Sequence, residues 1–218
     1  MRSQAEAILA CDFFTADLLS GTQAYVLAVI EHASRRIRIL GVTLHPTGEW
    51  TRNLIMDLGE HAHRVKFMIR DRGPDFTAAF DAALADAGIG TVLCNVQTPR
   101  MNATAERWIE GCRRELLDRT LVWNQAHLRR ILHTYEIHHN QHRPHPSLDA
   151  AAPLKPLPEP VDLDRYHVRR QAHTACRINE YHLAALRGRG FRHAQAREGN
   201  APNAYHRASS ANRWQPRV

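Results

Sequence analysis

The sequence predicts an α/β fold: a mixed five-stranded sheet flanked by helices, a three-strand antiparallel meander followed by two further strands. Three observations carry that expectation. The first three apolar runs are joined by short polar links, which reads as a meander. The next apolar runs of strand length alternate with stretches whose apolar residues fall at helical spacing. After Ala150 prolines crowd the chain, so the sheet and its helices are expected to lie before that point.

In order, "AILACDFFTA" (Ala7 to Ala16) is apolar apart from Asp12 and reads as a buried strand ending near its aspartate. "AYVLAVIEHAS" is a second strand, and "RRIRILGVTL", alternating basic and apolar residues, is a third. Ser20-Gly21 and Ser34-Arg35 supply the links. "HPTGEW" reads as a loop, and "TRNLIMDLGEHA" as a helix carrying Leu54, Ile55 and Leu58 on one side. "VKFMIR" is a fourth strand that delivers Asp71 at its carboxyl end. "TAAFDAALADAG" is a helix that stops at Gly88, and "TVLCNV" is a fifth strand. A long helix is expected from about Ala103 to Leu121, with Ala105, Trp108, Ile109, Cys112 and Leu116 as its apolar stripe. Another covers "NQAHLRRILHTYEIHHN", closed by "RPHPSL".

Residues 1–150 therefore read as one domain. Residues 151–186 read as a proline-rich linker with a short helix in "NEYHLAALRG". Residues 187–218, rich in Arg, Ala, Asn and Ser without periodicity, read as a disordered basic tail.

At 218 residues with 44% hydrophobic content, the chain can bury one sizeable core. No apolar run is long enough to cross a bilayer, and the N-terminus lacks the blocks of a secretory signal, so a cytoplasmic location is expected. Cys11, Cys94, Cys112 and Cys176 show no paired metal-ligand spacing, which argues against a cysteine zinc site. The formal charge of +7 suggests a polyanionic partner. That surplus is C-terminal: Val161 to Val218 holds 11 arginines against 4 acids, while the preceding residues balance at 18 against 18.

Three carboxylates occupy comparable places: Asp12 on the first strand, Asp71 at the end of the fourth, and Glu106 in the first turns of the long helix. A buried acid is costly unless its charge is compensated. Hard divalent cations take a few carboxylates plus waters, and two such ions suit in-line phosphoryl transfer. That chemistry needs no protein nucleophile, and no nucleophile motif is evident in the sequence. Asp75 and Asp81 read instead as solvated acids at a helix start and on a helix surface. His138, His139, His142 and His145 lack a tight zinc-ligand pattern.

The strand bearing Asp12, "IRDRGPDFT" after a strand, "NATAERWIEGCRRELLD" on a helix and "HHNQHRPHPSL" together resemble the integrase core of DDE transposases. The resemblance is to the retroviral-integrase-like, insertion-sequence type, with a ribonuclease H-like fold, and covers roughly Ile8 to Leu148. Asp71 and Glu106 have 34 residues between them, close to that family's D-D-35-E spacing.

The resemblance implies that Asp12, Asp71 and Glu106 are the catalytic and metal-holding residues for two Mg²⁺ or Mn²⁺ ions. It implies DNA cleavage and strand transfer without a covalent protein–DNA intermediate. The partners would be element ends, target DNA and further copies of the chain. Asn102, Arg113 and Arg114 are the candidate DNA contacts. The bland alternative for both arginines is pairing with Glu110, three and four residues back. No helix-turn-helix precedes Asp12, so end recognition is expected to come from another chain, such as a separate helix-turn-helix protein, or to be absent. The segment "HPTGEWTRNLIMDLGEH" looks a few residues shorter than in similar sequences, which implies a shortened first helix. A truncated, DNA-binding remnant and a nuclease limited to hydrolysis are the alternative functions.

Overall fold

The structure is a computed structural model that describes residues 5–61, 64–94, 102–157, 159–174 and 177–186. The elements are β1 (Ile8–Asp17), β2 (Gln23–Glu31), β3 (Ile37–Thr43), α1 (Gly48–His61), β4 (Phe67–Arg70), α2 (Ala78–Asp86), β5 (Gly90–Leu93), α3 (Ala103–Glu115), α4 (Gln125–Gln141), β6 (Tyr166–His173) and β7 (Ile178–Ala185). The main sheet runs β3-β2-β1-β4-β5. β1 pairs antiparallel with β2, and β2 with β3, which is the expected meander. β4 joins β1 in parallel and β5 joins β4 in parallel, so the sheet is mixed.

β1 sits at the centre because both of its faces are apolar. Ala10, Phe14 and Ala16 point into one core, shared with Trp108, Ile109 and Cys112 of α3 and Leu128, Leu132 and Tyr135 of α4. Leu9 and Cys11 point into the other, shared with Leu54, Ile55 and Leu58 of α1 and Phe80 and Leu84 of α2. Side chains alternate along a strand. Asp12 therefore faces the same side as Ala10 and Phe14, the side covered by α3.

β3 is an edge strand, and edges invite unwanted pairing. α4 closes it with polar side chains. The Asn140 amide donates to the Ile37 carbonyl at 2.9 Å and accepts from the Ile37 N–H at 2.9 Å, as a neighbouring strand would. Glu136 accepts from Ile39 N–H, and Gln125 and Arg129 donate to the Val42 carbonyl. His139, beside Asn140, uses Nε2 toward the Arg35 carbonyl at 3.1 Å.

Burial first, then the neighbouring charges of His145 and Arg143, hold His139 down from 6.5 to about 3, against the bond to Arg35. The unfolded chain takes up this proton below 6.5 and the folded chain does not until about 3. Stability therefore falls as pH drops through that window, by up to about 5 kcal/mol. His139→Gln is expected to flatten the loss, measured as urea midpoints between pH 7 and 4. An unchanged pH profile would remove His139 from the account.

Three expectations are revised. α3 ends at Glu115 and not at Leu121, followed by a 3-10 turn over Leu117–Arg119. The chain turns there because Val122 is buried and its carbonyl accepts from Leu19 N–H at 2.7 Å. "GEW" belongs to α1, because the Thr47 hydroxyl accepts from Trp50 N–H at 3.1 Å and starts the helix early. α1 then runs for 14 residues and buries Leu54, Ile55 and Leu58. "NEYHLAALRG" contributes a strand: β7 pairs with β6 from Ile178 to Ala185, and this pairing outweighs the helix preference of its leucine and alanines. The expected basic tail, 187–218, and Cys176 lie outside the described residues.

The β6–β7 hairpin leans on α4. Ile178 joins the core there, and Glu180, 9% exposed, lies within 3.2 to 3.9 Å of His138, His142, His173 and His182. No described helix is long and apolar enough to cross a membrane.

Candidate active site

The β1–β4 register brings the two aspartates together. Ala10 lies opposite Ile69 in the parallel pair. Two residues further along both strands come Asp12 and Asp71, side by side at the carboxyl end of β4.

Asp71 is set by its neighbours. Arg70 is 6% exposed and would be a costly buried charge alone. Asp81 takes its Nε and Nη2, and its Nη1 donates to the Asp71 carbonyl at 2.8 Å. Thr91 adds a hydroxyl to Asp81, and the Arg70 guanidinium lies over the Phe76 ring. Asp81 is thus the counter-ion that locks the end of β4, a correction to its reading as a helix-surface acid. The Asp71 carboxylate accepts from Gly73 N–H at 2.9 Å. A Cβ on Gly73 would sit 3.0 Å from that carboxylate, so a larger residue there would push the Asp71 side chain aside by a few tenths of an ångström.

Glu106 stands in the first turn of α3. It lines a cleft of about 440 Å³ with Asp12, Phe14, Asp75, Glu110 and Arg113. Two tethers hold α3 to β1 on either side of Asp12. Near one end the Asn102 amide donates to the Cys11 carbonyl at 3.2 Å. Near the other, Arg113 Nη2 donates to the Thr15 carbonyl at 2.9 Å and the guanidinium lies 6.0 Å from the Phe14 ring centre.

These tethers revise the expected DNA contacts. Asn102 is 1% exposed, so it positions the helix and does not offer itself to a ligand. Arg113 lines the cleft but already spends one nitrogen on β1. Arg114 is exposed and lies 3.7 Å from Glu115, outside the cleft lining. Asp75, read as a solvated helix-start acid, lines the cleft although Thr77 holds the N-cap position of α2. Sequence spacing alone gave no signal for Asp75, because the turn at Gly73 decides where it points.

The acids feel one another. Burial, and next the charge of Asp71, push Asp12 up from 3.8 to about 7. Glu106 and Asp75 add to the rise, and a bond from Phe13 N–H opposes it. The same field reaches two thiols: burial raises Cys11 and Cys94, and the surrounding carboxylates raise them further. Both therefore stay protonated and are poor nucleophiles.

The donor set, acids with oxygen ligands beside a half-buried aspartate held partly protonated, suits a hard divalent cation. Asp12 and Asp71 meet through the sheet, while Glu106 approaches from α3. Among the described residues, no group of three or more His, Cys, Asp or Glu side chains converges closely enough to enclose a metal ion as it stands.

Residues 87–153 match the family model of the integrase core domain. Among solved structures, the chain is similar to one from a simian T-cell lymphotropic virus intasome in complex with PP2A regulatory subunit B56 gamma. The identity is 16% and the TM-score 0.55, over 78% of this chain and 64% of that one. The chain thus spans less than two thirds of that relative. It is also similar to the catalytic core domain of BIV integrase, at 18% identity and a TM-score of 0.48, over 68% of this chain and 91% of that one. No curated protein matches the sequence. The resemblance read from the motifs therefore stands, in an integrase core domain match over residues 87–153 and in a ribonuclease H-like, integrase-core fold of mixed five-stranded sheet and flanking helices.

Proposed function

We propose that this chain is the catalytic core of a transposase or integrase that cleaves DNA strands and joins them to a target. The observation that carries the reading is Asp12: burial and the charges of Asp71, Glu106 and Asp75 raise it to about 7, and Glu106 and Asp75 line the same cleft as Asp12. Such a cluster is short of positive charge, and a divalent cation would supply it.

Asp12 and Asp71 would hold a shared Mg²⁺ or Mn²⁺ ion, with Glu106 completing a second site. When bound, two such ions stabilise the attacking and leaving oxygens of an in-line phosphoryl transfer. The chain's own residues do the rest. Arg70 and Asp81 fix the end of β4 beside Asp12, and Asn102 and Arg113 hold α3 against β1, so that Glu106 lines the cleft with Asp12. The free nitrogens of Arg113 favour a phosphate at the cleft. DNA ends and target DNA are the proposed partners, in a homo-oligomer within the bacterial cytoplasm.

The test is a cleavage and strand-transfer assay on element-end DNA with Mg²⁺ or Mn²⁺. Asp12→Asn, Asp71→Asn and Glu106→Gln are each expected to abolish activity, by three orders of magnitude or more, roughly the scale of losing an essential electrostatic group. Asp75→Asn is expected to keep it. Equal loss in Asp75→Asn would overturn the assignment. A second reading is a silent DNA-binding remnant. It is favoured by the lack of a converged triad among the described residues. DNA binding without metal-dependent nicking would decide for it.

A further inference from the structure

α3 has a second working side. Its face away from the cleft borders a cavity of about 380 Å³, lined by Arg35, Arg107, Arg143, Trp108, His139 and His145 among others. Glu106, Glu110 and Arg113 border the cleft and not this cavity. Among the described residues, no aspartate or glutamate lines it.

The cations are not equivalent. Both Nη groups of Arg143 go to Glu115, so its charge is already matched. Arg35 donates only to hydroxyls, Thr104 Oγ1 at 3.1 Å and Ser147 Oγ at 3.4 Å. Arg107 Nε donates to the Ala103 carbonyl of its own helix. Neither Arg35 nor Arg107 has an acidic partner among the described residues. Arg35 also sits at φ 62, where glycine is the residue at ease. Backbone strain of this kind clusters at ligand sites.

Three buried ring nitrogens of residues on this lining have no hydrogen-bond partner among the described residues: Trp108 Nε1, His139 Nδ1 and His145 Nε2. Trp108 is 6% exposed and His139 is 3% exposed. An indole N–H can only donate, so Trp108 lacks an acceptor. His139 is constrained the other way. The Arg35 carbonyl can only accept, so Nε2 carries the ring proton and Nδ1 is left as an acceptor. The cavity therefore offers unmatched positive charge, and in its wall a spare donor and a spare acceptor that a ligand meets once the wall side chains shift.

We propose that this cavity binds a phosphate group that still carries a proton, either free phosphate or the singly ionised terminal phosphomonoester of a nucleic acid strand, whose second pKa is about 6. The anionic oxygens answer Arg35, Arg107 and the Trp108 N–H. The P–OH answers His139 Nδ1. A bridging phosphodiester and sulfate, which have no such proton at neutral pH, leave that acceptor unmet. The nucleic-acid source rests on the DNA-processing reading above, whereas the preference for a protonated phosphate does not.

The test is calorimetric titration of the full chain at about pH 6, near the second pKa of a phosphomonoester, with inorganic phosphate, with sulfate, and with short single strands bearing a 5′-phosphate or a 5′-hydroxyl. Phosphate is expected to bind at least tenfold more tightly than sulfate. Arg35→Gly, which suits the backbone there, and Arg107→Gln, on an exposed helix position, are each expected to weaken phosphate binding at least tenfold without lowering the melting temperature. A preference for the 5′-phosphate strand supports the nucleic-acid source, and no difference between the strands supports free phosphate. Absence of phosphate binding, binding unchanged in both variants, or equal binding of sulfate would overturn the proposal. Asp12→Asn is expected to leave phosphate binding intact, so a failed cleavage assay would sink the DNA reading without touching this site.

Discussion

Asp12→Asn is expected to raise the melting temperature of the metal-free protein while it removes activity. The sign follows from the direction of the shift. In the folded chain Asp12 holds its proton up to about 7, and in the unfolded chain it releases it near 3.8. As pH rises between those values, the unfolded state gains charge freely and the folded state does not, so stability is lost. Each pH unit of that gap is worth about 1.4 kcal/mol, which bounds the loss at about 4 kcal/mol. Asp12 keeps some solvent contact, so about 2 kcal/mol is the working figure. For a chain of this size that corresponds to roughly 4–8 °C. The asparagine removes the penalty, so the gain should be full at pH 8 and absent at pH 4. Mg²⁺ should raise the melting temperature of the unaltered protein and do little for the variant, because a ligand stabilises only the state that binds it. Thermal melts at the two pH values, with and without Mg²⁺, decide it. No gain at pH 8 would mean that Asp12 is not held under charge stress.

Asn140→Leu is expected to be the most damaging change distant from the cleft. The amide is 4% exposed and makes both bonds that β3 would otherwise take from another strand at Ile37. Leucine fits the volume but leaves a buried N–H and a buried C=O without partners, at about 1–3 kcal/mol each. A loss of about 2–6 kcal/mol follows. The bared edge adds a second symptom, self-association. The urea midpoint should fall with an unchanged slope, and light scattering should rise with concentration. A midpoint within experimental error of the parent would show that water replaces the amide.

The residues that announced themselves in the sequence are those governed by local pattern. β1, β2 and β3 showed in their apolar runs, because both faces of β1 and β2 are covered. The pair Asp12 and Asp71 was legible from the order of the strands that carry them. What was hidden depends on contacts distant in sequence. Asp81 looks like a surface acid until Arg70, eleven residues away, is seen to need it. Asn102 looks like a polar residue free to meet DNA until the Cys11 carbonyl claims its amide. β7 contains leucine and alanines and reads as a helix, and only its partner β6 makes it a strand. The second cavity left no trace in the pattern, because Arg35, Arg107 and His139 come from a turn and two helices.

The two tethers on α3 bear on how this site tolerates insertions and deletions. Asn102 and Arg113 grip the carbonyls of Cys11 and Thr15, on either side of Asp12. The gap between Glu106 and Asp12 is therefore set by bonds from α3 itself, and not by how many residues separate β5 from α3. A spacing of 34 residues and one of 35 are then the same site. The count that identifies the motif in sequence is a loosely held quantity, free to drift by a residue, while an asparagine and an arginine that the motif's name omits keep the ruler.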